Sequence, residues 1–446
     1  MKKIIKKITP NFILSWYHFI LSFLGALIYG FPSKKMTVIG VTGTKGKTTT
    51  SYLIAQILSS AGFKTGMATT VIFKIGDREW LNESKQTMLG RLELQKLLSQ
   101  MVKENCKYAV IETSSEGILQ YRHRFVNYDV AVFTNLTPEH IERHGGFENY
   151  RDAKIKPFEK VAKKKKGVGV YNFDDKNIGY FLKPTVKTKY GYSVSGVKHS
   201  VVPPLGIVPT LADFLFVASG VKLKEGKTEF KLNDEKFEIP LIGEFNVYNA
   251  AAAICVALSQ NIPMAQIKKA LADANPAPGR MEVVDGKNFK IIIDYAHEPA
   301  SLEAAYKTLS SQLTAHSSRL ICLLGGQGGG RDKWKRPEMG KIAAKYCDEI
   351  ILTNEDPYDE NPANILDDIE AGFSQVQSLK LKVKSGKLYK ILDRREAIKK
   401  AISLAKKDDI VILTGKGGEV WMCVENGKKI PWNEKEIVGE ILEKVK

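Results

Sequence analysis

Paired cysteines are missing from this chain. It has five cysteines in 446 residues, at Cys106, Cys255, Cys322, Cys347 and Cys423, and no C-x-x-C pair. That scatter argues against both a zinc ribbon and a disulfide framework and suits a reducing cytosol. Acidic residues are also scarce: 49 Asp and Glu stand against 67 Lys and Arg, for a net charge of +18. Residues 1–35 carry six lysines and no acid, which leaves +12 on the other 411. Such a balance suits an anionic substrate or an anionic surface. No RNA- or DNA-binding motif accompanies it, and the Lys163–Lys166 run reads as a solvated face, so nucleic acid is not an expected partner. No internal repeat is visible, and the length is too great for one core, so two or three domains are expected.

Long apolar runs are confined to the N-terminus. Asn11–Phe31, "NFILSWYHFILSFLGALIYGF", holds no Asp, Glu, Lys or Arg. It is long enough to span a bilayer. A spanning helix with its body in the cytosol would put Lys2, Lys3, Lys6 and Lys7 outside, against the positive-inside tendency. A cleaved signal peptide fits worse. The reading is a helix lying in the cytosolic membrane interface, with Trp16, Tyr17 and Tyr29 near the headgroups. A helix docked on the protein's own core or on a second subunit stays open beside it.

From Met36 to about Ala274, buried strands alternate with helical stretches. "YAVIET" (108–113) and "DVAVFTNL" (129–136) are strand-like and end in polar residues, where α/β sites lie. Residues 187–239 turn strand-rich and suggest a small antiparallel addition to the sheet. "NPAPGR" (275–280) has linker composition, and a second α/β domain follows.

The segment "VIGVTGTKGKTTTSYLIAQILSSAG" (38–62) predicts a strand, a glycine turn and a helix. Gly43 and Gly46 let the backbone curl so that several N–H groups face inward, and the helix adds its positive end; Thr44, Lys45 and Thr49 are counted with them in the phosphate-binding turn. Lys47 reaches the outer phosphates and the Thr48 hydroxyl holds Mg²⁺. The spacing Gly43-x-x-Gly46-Lys47-Thr48 departs from the strict phosphate-loop pattern, since Val41 stands at its first position. Glu112, at a strand end, is placed to face Mg²⁺ beside Thr48, although a lone Glu there is more often a surface or ion-pairing group. "TPEHIERHGGFENYRDAK" follows the next strand with His140, His144 and Lys154.

Together these segments resemble the Mur ligase family, and within it the tripeptide-synthetase branch. The likeness is carried by "GTKGKTTT" (43–50), "ETSSEG" (112–117), "FTNLTPEH" (133–140), "HGGFENYRDAK" (144–154), "GEFNVYNAAAA" (243–253), "PGRMEV" (278–283), "DYAHEP" (294–299), "RDKWKRPEMG" (331–340), "EDP" (355–357), "DRREAI" (393–398) and "GKGGE" (415–419), in family order over about 36–446. It implies an α/β fold, with a phosphate-loop ATPase domain over 36–275, a Rossmann-like C-terminal ligase domain over 276–446 and a short apolar N-terminal helix over 1–35. It implies an ATP-dependent, cytoplasmic ligase of peptidoglycan precursor synthesis, in which an acyl phosphate on a muramoyl-peptide carboxylate is attacked by an amino acid's amine. By motif, Lys47 holds the γ-phosphate. Thr48 and Glu112 bind one Mg²⁺ and His140 a second, with Lys154 carbamylated to help fix it. Asn249, Arg280 and Asp294 contact the nucleotide. Ser114, Ser115 and Arg122 touch the muramoyl peptide, and Arg331, Asp356, Gly415 and Glu419 the incoming amino acid.

The chain departs from the family at several places. Tyr358 stands where the diaminopimelate branch has its specifying arginine, so lysine or another amino acid enters as an alternative. Gly418 and Glu116 replace histidines, and "QTMLGR" (86–91) replaces Thr-Thr-Pro. Family members carry a uridine-nucleotide-binding N-terminal domain, for which this chain offers about 36 mostly apolar residues. At the level of sequence two further readings stay open. One is a superfamily ligase on another carboxylate (folate-polyglutamate, poly-amino-acid or lipid-linked). The other is a membrane-associated ATP-binding regulator without ligation.

Overall fold

The structure, a computed structural model, describes residues 11–139, 144–194, 212–313, 318–378 and 387–444. The chain forms two compact units. One comprises residues 1–222, 229–239 and 246–274, the other residues 223–228, 240–245 and 275–446.

The first unit is built on an eleven-stranded sheet. Its strands are β1 (Thr37–Thr42), β2 (Thr65–Ala68), β3 (Ile72–Ile75), β4 (Arg78–Leu81), β5 (Tyr108–Glu112), β6 (Tyr128–Phe133), β7 (Val168–Asn172), β8 (Thr188–Ser193), β9 (Phe214–Lys224), β10 (Lys227–Leu232) and β11 (Glu235–Ile239). Their order is β11-β10-β9-β8-β7-β6-β1-β5-β2-β3-β4. β1 pairs in parallel with β5 and β6, and its apolar residues Val38, Ile39 and Val41 are fully buried, as a strand covered on both faces requires. The register sets Val41 opposite Glu112 and Thr42 opposite Phe133. Three strands therefore end together, and their polar termini share one edge. The expected antiparallel addition is corrected in part: β8 pairs in parallel with both β7 and β9, whereas β9 and β10 are joined by only two residues, Glu225 and Gly226, which a parallel pair cannot span.

The second unit has a six-stranded sheet. Its strands are β12 (Glu282–Gly286), β13 (Phe289–Asp294), β14 (Leu320–Leu324), β15 (Glu349–Leu352), β16 (Lys387–Lys390) and β17 (Ile410–Thr414), in the order β12-β13-β17-β14-β15-β16. Only β12 runs antiparallel to its neighbour. The period of two assigns side chains to opposite faces: Leu320, Cys322 and Leu324 enter one core, Ile321 and Leu323 the other. Cys322 meets Cys347, just past the helix Lys335–Tyr346, in a disulfide. This corrects the expectation drawn from cysteine spacing. Their sequence separation of 25 hides an adjacency created by the crossover from β14 to β15. Cys106, Cys255 and Cys423 are buried and outside any disulfide.

The apolar N-terminal segment forms a helix over Asn11–Ile28, and no described helix is long and apolar enough to cross a membrane. One face packs on the helix Arg91–Lys103 and on the segment around Tyr121 and Phe125 of the same unit.

His123 lies buried in this unit beside Lys160, which donates to its backbone carbonyl at 2.5 Å. Burial first, then the charges of Lys160 and Arg124, hold the imidazole at about 3 against an ordinary 6.5. Between those values the unfolded chain binds the proton and the folded chain does not. Stability from this residue is therefore intact above about pH 6.5 and is lost as pH falls toward 3. From pH 7 to pH 5 the expected loss is about 2 kcal/mol, read as a lower urea midpoint. His123→Gln should remove that component. Identical pH dependence in both proteins contradicts the assignment.

Candidate active site

The glycine turn leaves β1 as the sequence predicts and enters the helix Lys47–Ser60. Gly43 has φ 148°, and a Cβ there would fall 1.9 Å from Thr134 Oγ1. Gly46 has φ 80°, and a Cβ there would meet Asn249 Oδ1 at 2.3 Å. Both positions need glycine for backbone shape and for space. The turn is clamped from the end of β6: Thr44 N donates to Asn135 O and Lys45 N to Asn135 Oδ1, each at 2.8 Å. Thr134 Oγ1 donates to Lys45 O at 2.7 Å. The Thr44 hydroxyl meets Tyr150 Oη at 2.9 Å, and Lys45 Nζ lies 3.5 Å from Glu139. The result is a rigid concave backbone at a helix N-terminus, with Thr49 buried in the first helical turn.

Five predicted residues gather on this turn. Lys47 Nζ arches back to donate to Thr44 O at 2.8 Å. Thr48 Oγ1 donates to Glu112 Oε2 at 2.9 Å, and both residues are buried. Lys154, on the helix Phe147–Val161, donates from Nζ to Gly43 O at 2.6 Å and sits over the Tyr150 ring. Burial, then the neighbouring Lys47 charge, pushes its amine well below the ordinary lysine value. His140 lies outside the described residues. His144 sets its ring edge-on against Tyr150. Asn249, on the helix Glu244–Ser259, faces Gly46 and accepts from Thr50 Oγ1 at 3.2 Å.

Sequence reasoning missed Thr70. Its N–H donates to Glu112 Oε2, the oxygen that also accepts from Thr48, at 2.9 Å, and its hydroxyl to Oε1 at 3.0 Å, so the carboxylate is fixed in place beside Thr48. A carboxylate and a hydroxyl 2.9 Å apart form the hard-oxygen donor set that Mg²⁺ takes.

The residues predicted to touch a carboxylate-bearing acceptor sit beyond β5. Ser114 caps the short helix Ser115–Leu119 by accepting from Gly117 N at 3.1 Å, and Ser115 is buried. Arg122 donates to Gln86 Oε1 at 2.6 Å, to Gln120 Oε1 at 2.8 Å and to Met88 O. The "QTMLGR" stretch therefore packs on the loop that carries Arg122.

The second unit gathers its own cluster at the strand ends. Asp294 accepts from Met281 N and Ala296 N, each at 2.8 Å, and burial raises its carboxyl despite the Arg280 charge. The cap of the following helix, Pro299–Ser310, is Glu298 and not Asp294. Arg280 lies over the Tyr295 ring. Arg331 lies over the Tyr358 ring and donates to its hydroxyl at 3.3 Å. Lys416, unsuspected from sequence, is fully buried. It donates to Asp356 at 2.9 Å, to Glu419 at 2.7 Å and to Trp421 O at 2.7 Å, thereby tying two predicted acids together. Its position between two glycines of "GKGGE" was the available signal. Gly415 has φ 102°, and a Cβ there would strike the Glu355 carboxylate at 2.6 Å. Glu355, part of the "EDP" motif but given no role from sequence, is fully buried, and burial, then the neighbouring Asp356 charge, raises its carboxyl.

A phosphate-binding turn with a buried magnesium-type donor pair, followed by a second α/β unit with an acid–base cluster at its strand ends, defines an ATP-dependent ligase. The comparisons with known proteins agree. The Mur ligase middle domain matches residues 41–257, and the Mur ligase glutamate ligase domain matches residues 279–417. A UDP-N-acetylmuramoyl-L-alanyl-D-glutamate–2,6-diaminopimelate ligase of Geobacillus kaustophilus is 38% identical over 415 residues, 91% of this chain and 79% of the relative. A solved structure of a ligase with the same name aligns with TM-score 0.60 and 29% identity, covering 92% of this chain and 79% of the other. A folylpolyglutamate synthase structure from Mycobacterium tuberculosis shares the fold, with TM-score 0.64 at 16% identity over 89% of this chain and 92% of that one. The chain belongs to the Mur ligase family. It is an ATP-dependent amide-bond-forming ligase of peptidoglycan precursor synthesis.

Proposed function

We propose that this enzyme joins the amine of a diamino acid to the free carboxylate of a muramoyl peptide. ATP phosphorylates the carboxylate and leaves as ADP. The amine then attacks the acyl phosphate carbonyl, forms the amide and expels phosphate. The observation that carries the reading is the buried Thr48–Glu112 pair at 2.9 Å beside Lys47 on the glycine turn. The N-terminal end of the helix Lys47–Ser60 takes the phosphates, while the N–H groups of Thr44 and Lys45, expected from sequence to face them, are held by Asn135 and shape the turn. Lys47 exchanges its Thr44 carbonyl for the γ-phosphate and stabilises the charge that develops there. Thr48 and Glu112 would hold one Mg²⁺, and His140 with a carbamylated Lys154 a second. Bound ions neutralise the moving phosphoryl charge. Carbamylation adds CO₂ to the Lys154 amine with loss of a proton. The burial of that amine against the turn supports it, since an ammonium there would repel a metal and a carbamate would ligate it. Ser114, Ser115 and Arg122 are assigned to the acceptor.

In the C-terminal domain, residues 276–446, Arg331 is assigned to the α-carboxylate of the incoming amino acid, and Asp356 and Glu419 to its amines, with Gly415 leaving room. Tyr358 offers a phenol where an arginine would grip a second carboxylate, so lysine is expected to outperform diaminopimelate. The enzyme is assigned to the cytoplasm, held peripherally on the inner membrane face through residues 11–31. The test is ADP release with ATP, Mg²⁺, a UDP-muramoyl dipeptide and a panel of amino acids. Turnover requiring both dipeptide and one amino acid is expected. ATP binding without amine-dependent turnover contradicts ligation and favours a regulator.

A further inference from the structure

The N-terminal helix Asn11–Ile28 inverts the usual rule for a surface helix. Its most deeply docked positions are small or polar: Ser22 and Ala26 are 2% and 0% exposed, and a Cβ on Gly25 would lie 3.2 Å from Arg91 O, while Phe19 and Phe23 pack at the margin against Phe125. Ser15 Oγ meets Tyr121 Oη at 2.7 Å, Ser22 Oγ donates to Tyr121 O at 2.9 Å, and the His18 ring meets the Arg91 guanidinium. Its outward face is large and apolar. Ile13, Trp16, Tyr17, Ile20, Leu24 and Leu27 recur at helical spacing, and Trp16 and Ile28 are 64% and 65% exposed. Among the described residues, eight of the 17 exposed large apolar side chains lie on this one helix. A surface helix in water turns that stripe inward. A helix in a lipid interface shows it outward and adds basic residues at the rim. The rim here is basic: Lys34 and Lys35 are exposed just past the helix, Arg124 is exposed and lies over Phe19, and residues 1–35 contain no acid. That charge fits an anionic bilayer and not a second copy of this basic chain.

The docked face meets the acceptor loop. Arg91, which holds His18, donates from Nε to Gln120 O at 2.9 Å, and Gln120 Oε1 accepts from Arg122 at 2.8 Å. Two side chains separate the helix from the arginine assigned to the acceptor. We infer that the acceptor is a lipid-anchored muramoyl peptide, presented to Arg122 from the anionic bilayer surface on which this helix lies. The inference rests on the ligase reading above and names the substrate class of that site. No group transfer beyond the ligase reaction is required.

The experiment uses the full chain, the Ile20→Glu/Leu24→Glu variant, and two acceptors with the same dipeptide, one UDP-linked and soluble, one polyprenyl-linked in vesicles of phosphatidylcholine and phosphatidylglycerol. The wild type is expected to sediment with these vesicles, and less with phosphatidylcholine alone. Its KM for the lipid-linked acceptor should lie at least about tenfold below that for the soluble one, by surface concentration. The variant should lose sedimentation and that advantage while keeping its rate on the soluble acceptor. No sedimentation, or a wild-type dimer that the variant converts to monomer, overturns the inference. Sedimentation with equal KM for both acceptors overturns its acceptor half. If neither acceptor turns over, the ligase reading fails, and the vesicle result still decides whether the helix binds lipid.

Discussion

Lys154→Ala is expected to lower ligation by about a hundredfold or more and to regain part of it when formate or acetate is added. The amine is buried and already touches the Gly43 carbonyl at 2.6 Å, at the centre of the glycine turn. Alanine would leave a hole of carboxylate size beside Thr44 and Lys47. If the working form is the carbamate, a small carboxylate in that hole restores the missing anionic oxygens. Ammonium salts, which restore only a cation, should not help. Circular dichroism controls for folding, since the buried stem also contributes packing. Full activity of the bare variant rules out the carbamate role, and rescue by ammonium in place of carboxylate would reverse its sign.

Arg394→Ala is expected to be the most destabilising single change, by about 3–5 kcal/mol. Arg394 and Glu434 are buried with no exposed side-chain surface, and the guanidinium meets the carboxylate through two nitrogens at 2.5 and 3.1 Å. The same guanidinium donates to Asn354 O at 3.2 Å and Thr414 O at 2.8 Å. Its loss strands a buried carboxylate and two carbonyls, the expensive half of such a pair. Thr414 precedes Gly415 and Lys416, so amino-acid affinity should fall along with the urea midpoint. Arg394→Met with Glu434→Leu should recover much of the stability, because a buried apolar pair of similar size carries no stranded charge. A single variant as stable as the wild type contradicts the role given to the pair.

What the sequence made legible was contiguous. Gly43, Gly46, Lys47 and Thr48 lie within six residues, and their chemistry follows from backbone shape and a helix end. Glu112 was legible as the polar end of a buried strand, because parallel strands that start in register also finish together. Thr70 was not. It comes to Glu112 through the neighbouring pairing of β2 with β5, and no local pattern marks it. Lys416 was hidden by the glycines around it, and Arg394 by its surroundings in "DRREAI", where nothing tells a buried arginine from a solvated one. The Cys322–Cys347 bond escaped for the same reason, since proximity comes from a crossover and not from spacing. The N-terminal helix was legible as apolar. Which face it buries depended on Ser22, Gly25 and Ala26, small residues that let the helix sit close and leave its large side chains outside.

In the proposed reaction ATP activates the acceptor carboxylate as an acyl phosphate on the glycine turn. The most direct measurement uses whichever muramoyl dipeptide supports turnover, with ¹⁸O in its terminal carboxylate, and reads the released phosphate by mass spectrometry. One labelled oxygen is expected in each phosphate formed, because the carboxylate oxygen that attacks the γ-phosphorus leaves with it when the amine displaces phosphate. Phosphate without label, while amide accumulates at the same rate, would contradict the account.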